Sequence, residues 1–105
     1  MKFNKGPLTC ILATTGRKTG KEHVVELRAV FHDNRFYFSR RNPDSDWLKN
    51  AIAIPLVKIT VNDTTFSGHA SLVRDKELTK KISRMKYADR RADDSRIVLE
   101  VIPCE

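Results

Sequence analysis

Two pairs of adjacent turn residues, Asp33-Asn34 and Asn62-Asp63, do most to limit the folds open to this chain. Asn and Asp tolerate the left-handed backbone that tight hairpins require. Before the first pair, residues 21–31 place Val25, Leu27, Ala29 and Phe31 on one face and Glu26, Arg28 and Val30 on the other; after it comes a strand over 35–40. Around the second pair, Val57, Ile59 and Val61 alternate with Lys58 and Thr60. Residues 64–73 then set Phe66, Gly68, Ala70 and Leu72 opposite Ser67, His69 and Ser71. Period-two patterning of this kind reads as strand. Tight hairpins join antiparallel neighbours, so the sheet is mainly antiparallel.

The remaining elements fit around these hairpins. Residues 8–15 read as a short apolar strand. A helix opens at Asn42-Pro43-Asp44-Ser45-Asp46, where Pro suits the first turn and Asp or Ser the cap. It runs over 45–54 with Trp47, Leu48, Ala51, Ile52 and Ile54 as its apolar face, and Pro55 stops it. Asp75 caps a second helix over 76–87, with Leu78, Ile82 and Met85 as one narrow stripe. Residues 88–95 are polar and read as a loop, and 96–102 as a sixth strand. The order β-β-β-α-β-β-α-β makes a mainly β chain with two helices, and six such strands close into an antiparallel barrel, which removes exposed edges.

The length of 105 residues suits one domain over 1–105, with a core that chains of this size often complete by oligomerising. No apolar run reaches the roughly 20 residues of a membrane span. The start, Met1-Lys2-Phe3-Asn4-Lys5, lacks the apolar region of a signal peptide, so the expected compartment is the cytoplasm. Cys10 and Cys104 show no metal-type spacing; each lies in an apolar run and reads as a buried free thiol, and the two could meet if the first and last strands were neighbours.

Net charge is +7, which permits nucleic acid, an anionic cofactor or an acidic surface as partner. Three cations, three hydroxyls and two glycines sit together in Thr14-Thr15-Gly16-Arg17-Lys18-Thr19-Gly20-Lys21, between the first two strands. Glycines permit close backbone approach, and Arg and Lys beside hydroxyls suit a phosphate or polycarboxylate. The same residues also serve a basic hairpin turn that needs only its glycines. A second basic run, residues 80–91, reads as a solvated helix face and its exit.

The segment Leu12-Ala-Thr-Thr-Gly-Arg-Lys-Thr-Gly-Lys21 resembles the phosphate-loop signature of deazaflavin (F420)-dependent nitroreductase-like proteins, members of the split β-barrel group that includes pyridoxamine-phosphate oxidase and FMN-binding proteins. Asp46-Trp47-Leu48-Lys49-Asn50, leading through Ala53-Ile54-Pro55 into a strand, is similar to the family's Asp-Trp-x-x-Asn helix. The resemblance implies a split barrel, a homodimer, and F420 (alternatively FMN) held near the subunit interface. It implies that Arg17, Lys18, Thr19 and Lys21 grip the cofactor's phosphate side, that Ser39, Arg40 and Arg41 offer a second contact, and that Trp47 lies nearby, as a packing anchor or a ligand. F420 carries a phosphodiester and an acidic glutamate tail, which a strongly basic small domain suits.

Hydride transfer between the reduced cofactor and a small organic substrate would leave the protein to bind, orient and exclude water. That agrees with the lack of any Ser/His/Asp or paired-carboxylate signature. A cofactor carrier without turnover fits the same residues. A small nucleic-acid-binding barrel is the third reading, but it wants exposed aromatics beside the cations, and Phe36 and Phe38 share a face directed inward.

Overall fold

The computed structural model describes residues 3, 5–40, 44–86 and 97–104. Six strands and two helices follow one another as β1 (Gly6–Thr15), β2 (Glu22–His32), β3 (Arg35–Arg40), α1 (Asp46–Ala53), β4 (Leu56–Val61), β5 (Thr64–Leu72), α2 (Lys76–Lys86) and β6 (Ile97–Pro103). The strands form a closed barrel in the order β1-β2-β3-β6-β5-β4, every neighbouring pair antiparallel, with β4 returning to β1. The turn dipeptides take the backbone their residues favour: Asp33 and Asn34 have φ of 54° and 59°, and Asn62 has φ of 55°.

Alternation decides which side chains fill the barrel. Leu12, Ala29, Phe31, Phe36, Phe38, Val57, Ile59, Leu99 and Val101 form one buried cluster, and Phe3 packs its ring against Phe31 and Phe36 with centroids 5.6 Å apart in each case. Val25 and Leu27 join this cluster only partly buried. Val30, on the other face of β2, is also buried, because α2 covers it together with Tyr37 and Val98.

Helix α1 closes the interior: Trp47, Leu48 and Ala51 belong to the barrel cluster, and Trp47 stands edge-on to Phe38 with centroids 6.1 Å apart. Its face differs from the pattern drawn from sequence. Ile52 is exposed and Asn50 is buried, since a polar partner outside the helix claims Asn50. Helix α2 lies outside, with Ile82 fully buried and Leu78 and Met85 packed beside it, as the stripe predicts; its expected last residue, Tyr87, lies outside the described residues, as does the expected loop 88–95. The cysteines do not meet, because β1 sits between β2 and β4 while β6 sits between β3 and β5. Cys10 is buried, but Cys104, beyond the end of β6, is exposed.

One wall of the barrel is incomplete. Strand β2 pairs with β1 along ten residues but with β3 only at Val30, Phe31 and His32. Residues 22–29 therefore present a sheet edge without a second strand among the described residues, and this gap positions the site. Among the described residues, no helix is long and apolar enough to cross a membrane.

Candidate cofactor-binding site

The connection between β1 and β2 is a compact turn. The Gly16 N–H donates to the Lys21 carbonyl at 2.7 Å, and the Gly20 N–H donates back to the Gly16 carbonyl at 2.8 Å. Gly20 takes φ of +73°, which a side chain would strain. At Gly16 a Cβ would stand 2.7 Å from His23 Nε2 and 2.8 Å from Thr19 Oγ1, so glycine lets strand and turn close together. The Lys21 N–H is capped by Thr19 Oγ1 at 3.2 Å. Inside this single turn the amides of Lys18 and Thr19 have no backbone acceptor among the described residues, an arrangement of N–H groups that suits an anion.

The cations of the turn divide into two kinds. Lys18 and Lys21 are exposed and, among the described residues, have no acidic partner. Arg17 is engaged with the protein. Its backbone N–H and its Nη1 donate to Asn50 Oδ1 at 3.2 and 2.6 Å, and its Nη2 lies 3.5 Å from Asp46 Oδ1. Arg17 thus joins the turn to α1.

Beside the turn lies a cleft of about 440 Å³, lined by His23, Val24, Val25, Arg40, Asp44, Ser45, Asp46 and Trp47. Its wall is the unpaired edge of β2, facing the end of β3 and the start of α1. His23 and Asp46 belong to both places, for His23 abuts Gly16 and Asp46 pairs with Arg17. Arg40 donates from Nε to Ser45 Oγ at 2.9 Å, which holds its guanidinium at the rim. Val24, Val25 and Trp47 supply apolar surface.

The residues singled out from sequence fall in three places. Arg17, Lys18, Thr19 and Lys21 are in the turn, and Arg40 and Trp47 line the cleft. Ser39 is elsewhere: it is buried, and Lys86 of α2 donates to its Oγ at 3.3 Å and its carbonyl at 3.4 Å. The alternation of β3 already implies this, because Phe38 points inward and Ser39 must follow Tyr37 outward. Arg41 lies outside the described residues. Sequence reasoning assigned no site role to Asn50 or His23. A polar residue within an apolar helix motif was the available signal for Asn50, whereas the position of His23 follows only from strand register.

A group with a strongly anionic end and a flat ring fits these parts. Two uncommitted lysines and two open amides would face the anion, and a Trp-bounded cleft of a size usual for cofactors lies one turn away. On β1 opposite His23, the Thr14 hydroxyl is buried without a hydrogen-bond partner among the described residues.

Residues 1–101 match the family model of F420H(2)-dependent quinone reductase. The chain belongs to this family. It is accordingly an F420-dependent oxidoreductase, with F420 as its cofactor. Many solved structures share the fold, among them the following three. An F420-H2 dependent reductase (FDR-A) superposes with a TM-score of 0.70 at 22% identity, over 89% of this chain and 92% of that one. A protein solved as a domain-swapped dimer gives 0.71 at 22%, over 89% and 78%. A conserved hypothetical protein from Mycobacterium tuberculosis gives 0.74 at 19%, over 92% and 73%. No curated protein matches this chain at the sequence level.

Proposed function

We infer that the turn and the cleft form one binding site, which holds F420 by its acidic end at Lys18, Thr19 and Lys21 and seats its ring against Trp47, Val24 and Val25. The family model supports a quinone as the acceptor, and a small planar acceptor suits the open side of the cleft. The observation that carries this reading is the bridge from turn to cleft: Arg17 on Asn50 and Asp46, with His23 against Gly16. Bound F420H2 supplies the hydride. The protein's residues fix the anionic end, orient the ring and keep water from one of its faces. No side chain is needed as a nucleophile. The unpaired edge of β2 leaves the cleft open, and a second copy of the chain would cover it, in keeping with the dimeric structural relative.

Fluorescence titration of the purified protein with F420 tests the reading. Micromolar binding that weakens in Lys18→Ala/Lys21→Ala is expected, by about tenfold for two charge-assisted contacts. Consumption of F420H2 with a soluble quinone should follow. Preferential binding of FMN would replace the cofactor assignment. Tight F420 binding without quinone reduction would make the chain a carrier, and binding only to an oligonucleotide would overturn the reading.

A further inference from the structure

Arg17 is the first cation of the basic turn, yet its contacts run inward. Two of its N–H groups converge on a single acceptor, Oδ1 of Asn50, whose residue is only 2% exposed. Its remaining terminal nitrogen faces Asp46, a residue of the first turn of α1 that also lines the cleft. A guanidinium so arranged is held on two sides by α1, at Asn50 and at Asp46. A side-chain amide buried in a helix that otherwise packs into the barrel is costly unless it is hydrogen-bonded, and Arg17 satisfies its oxygen with two donors.

We propose that Asn50 is a positioning residue that acts through Arg17 as a latch, fixing the cofactor turn against α1 and thereby setting the distance between anion grip and ring cleft. Arg17 serves to hold the turn, whereas Lys18 and Lys21, which have no acidic partner among the described residues, carry most of the attraction to the cofactor. The latch rests on the reading of the turn as the cofactor loop. It acts before any ligand arrives: an untethered turn would have to lose backbone freedom on binding, whereas a tethered one has already lost it.

Amide hydrogen exchange on the cofactor-free protein separates the latch from the function. The Arg17 amide is bonded to Asn50 itself, and the Gly16 and Gly20 amides close the turn. In Asn50→Leu these three amides should exchange on the order of tenfold faster while β5 amides keep their protection, because local openings are released without global unfolding. Asn50→Asp, which keeps the acceptor, should restore slow exchange. In F420 titrations Asn50→Leu should raise Kd about tenfold with its salt dependence intact, and Arg17→Lys should also bind weakly although it keeps the charge. Lys18→Ala, by contrast, should flatten the salt dependence. Wild-type exchange in Asn50→Leu, or wild-type F420 affinity in Arg17→Lys, overturns the latch. Should Asn50→Leu fail to fold, Arg17→Lys decides by the same amides. A wild-type protein that binds no F420 removes the functional reading and leaves the exchange result to judge the latch alone.

Discussion

The two helices are built from the same kind of signal and end in different relations to the barrel. Helix α1 has a broad apolar face, and Trp47, Leu48 and Ala51 merge with the residues that fill the interior. Helix α2 has a narrow stripe, and Ile82 rests on Val30, Tyr37 and Val98 on the outside. Each helix also reaches the barrel through a polar contact. Asn50 of α1 takes two hydrogen bonds from the turn beside the cleft, whereas Lys86 of α2 donates to Ser39 on the outer wall. The difference separates two duties. A helix seated in the barrel's mouth can place a site, because moving it moves the turn and the cleft together. A helix laid on the outside closes an apolar patch, and the polar contact of its Lys86 reaches Ser39 on the outer wall rather than the turn.

The strongest way to break this comparison is to empty both contacts. Leu48 and Ile82 are both essentially unexposed, so Leu48→Ala and Ile82→Ala should each cost about 2–5 kcal/mol in chemical denaturation. Below the unfolding transition the two should part. Leu48→Ala is expected to weaken F420 binding as well, and Ile82→Ala to bind it as the wild type does. An Ile82→Ala protein with weakened F420 affinity would end the division of duties.

The thiols sharpen the same contrast at lower cost. Burial pushes the Cys10 thiol up to about 12, so it stays protonated and poorly nucleophilic, while Cys104 is exposed. A disulfide-exchange reagent should therefore modify one thiol per native chain and two after denaturation. Cys10 belongs to the cluster that α1 closes, whereas Ile82 of α2 belongs to a separate one. Its modification should accelerate more in Leu48→Ala than in Ile82→Ala, even though the two lose similar stability.

What was legible in the sequence follows the range of the interactions concerned. Hairpins at Asp33-Asn34 and Asn62-Asp63 are decided by neighbouring residues, and so are the order of elements along the chain and the inward face of β3. The α2 stripe is likewise local. The burial of Asn50 depends on Arg17, 33 positions away, and no periodicity within α1 could announce it. The same distance explains Ile52, which matches the apolar pattern of α1 but is 46% exposed once Asn50 takes the inward position. For the candidate site, the turn was visible as composition and Trp47 through the helix motif. His23 came to the cleft through pairing with Thr14, a consequence of how long the β1–β2 hairpin runs. Ser39 was legible and read differently: the resemblance placed it near the cofactor, while the alternation of its own strand directs it to α2.

The smallest expected effect concerns the α2 side alone. His32 ends β2, its ring 6.4 Å from that of Tyr37, and its Nδ1 is buried without a hydrogen-bond partner among the described residues. Burial first, then the positive charges of Lys81 on α2 and Lys5, lower its pKa from the usual 6.5, with Asp33 opposing them. A histidine whose folded pKa is depressed binds its proton more readily when unfolded, so the fold keeps its full stability above that usual value and loses some as pH falls through it. Thermal unfolding followed between roughly pH 5 and 8 should show this acid loss in the wild type and less of it in His32→Gln. Because the charge sits where α2 meets β2, protonation should loosen α2 rather than the turn. F420 affinity over the same interval should then change equally in wild type and His32→Gln. A histidine substitution that altered the pH dependence of binding, with the acid loss of stability unchanged, would show that the outer helix and the site are connected after all.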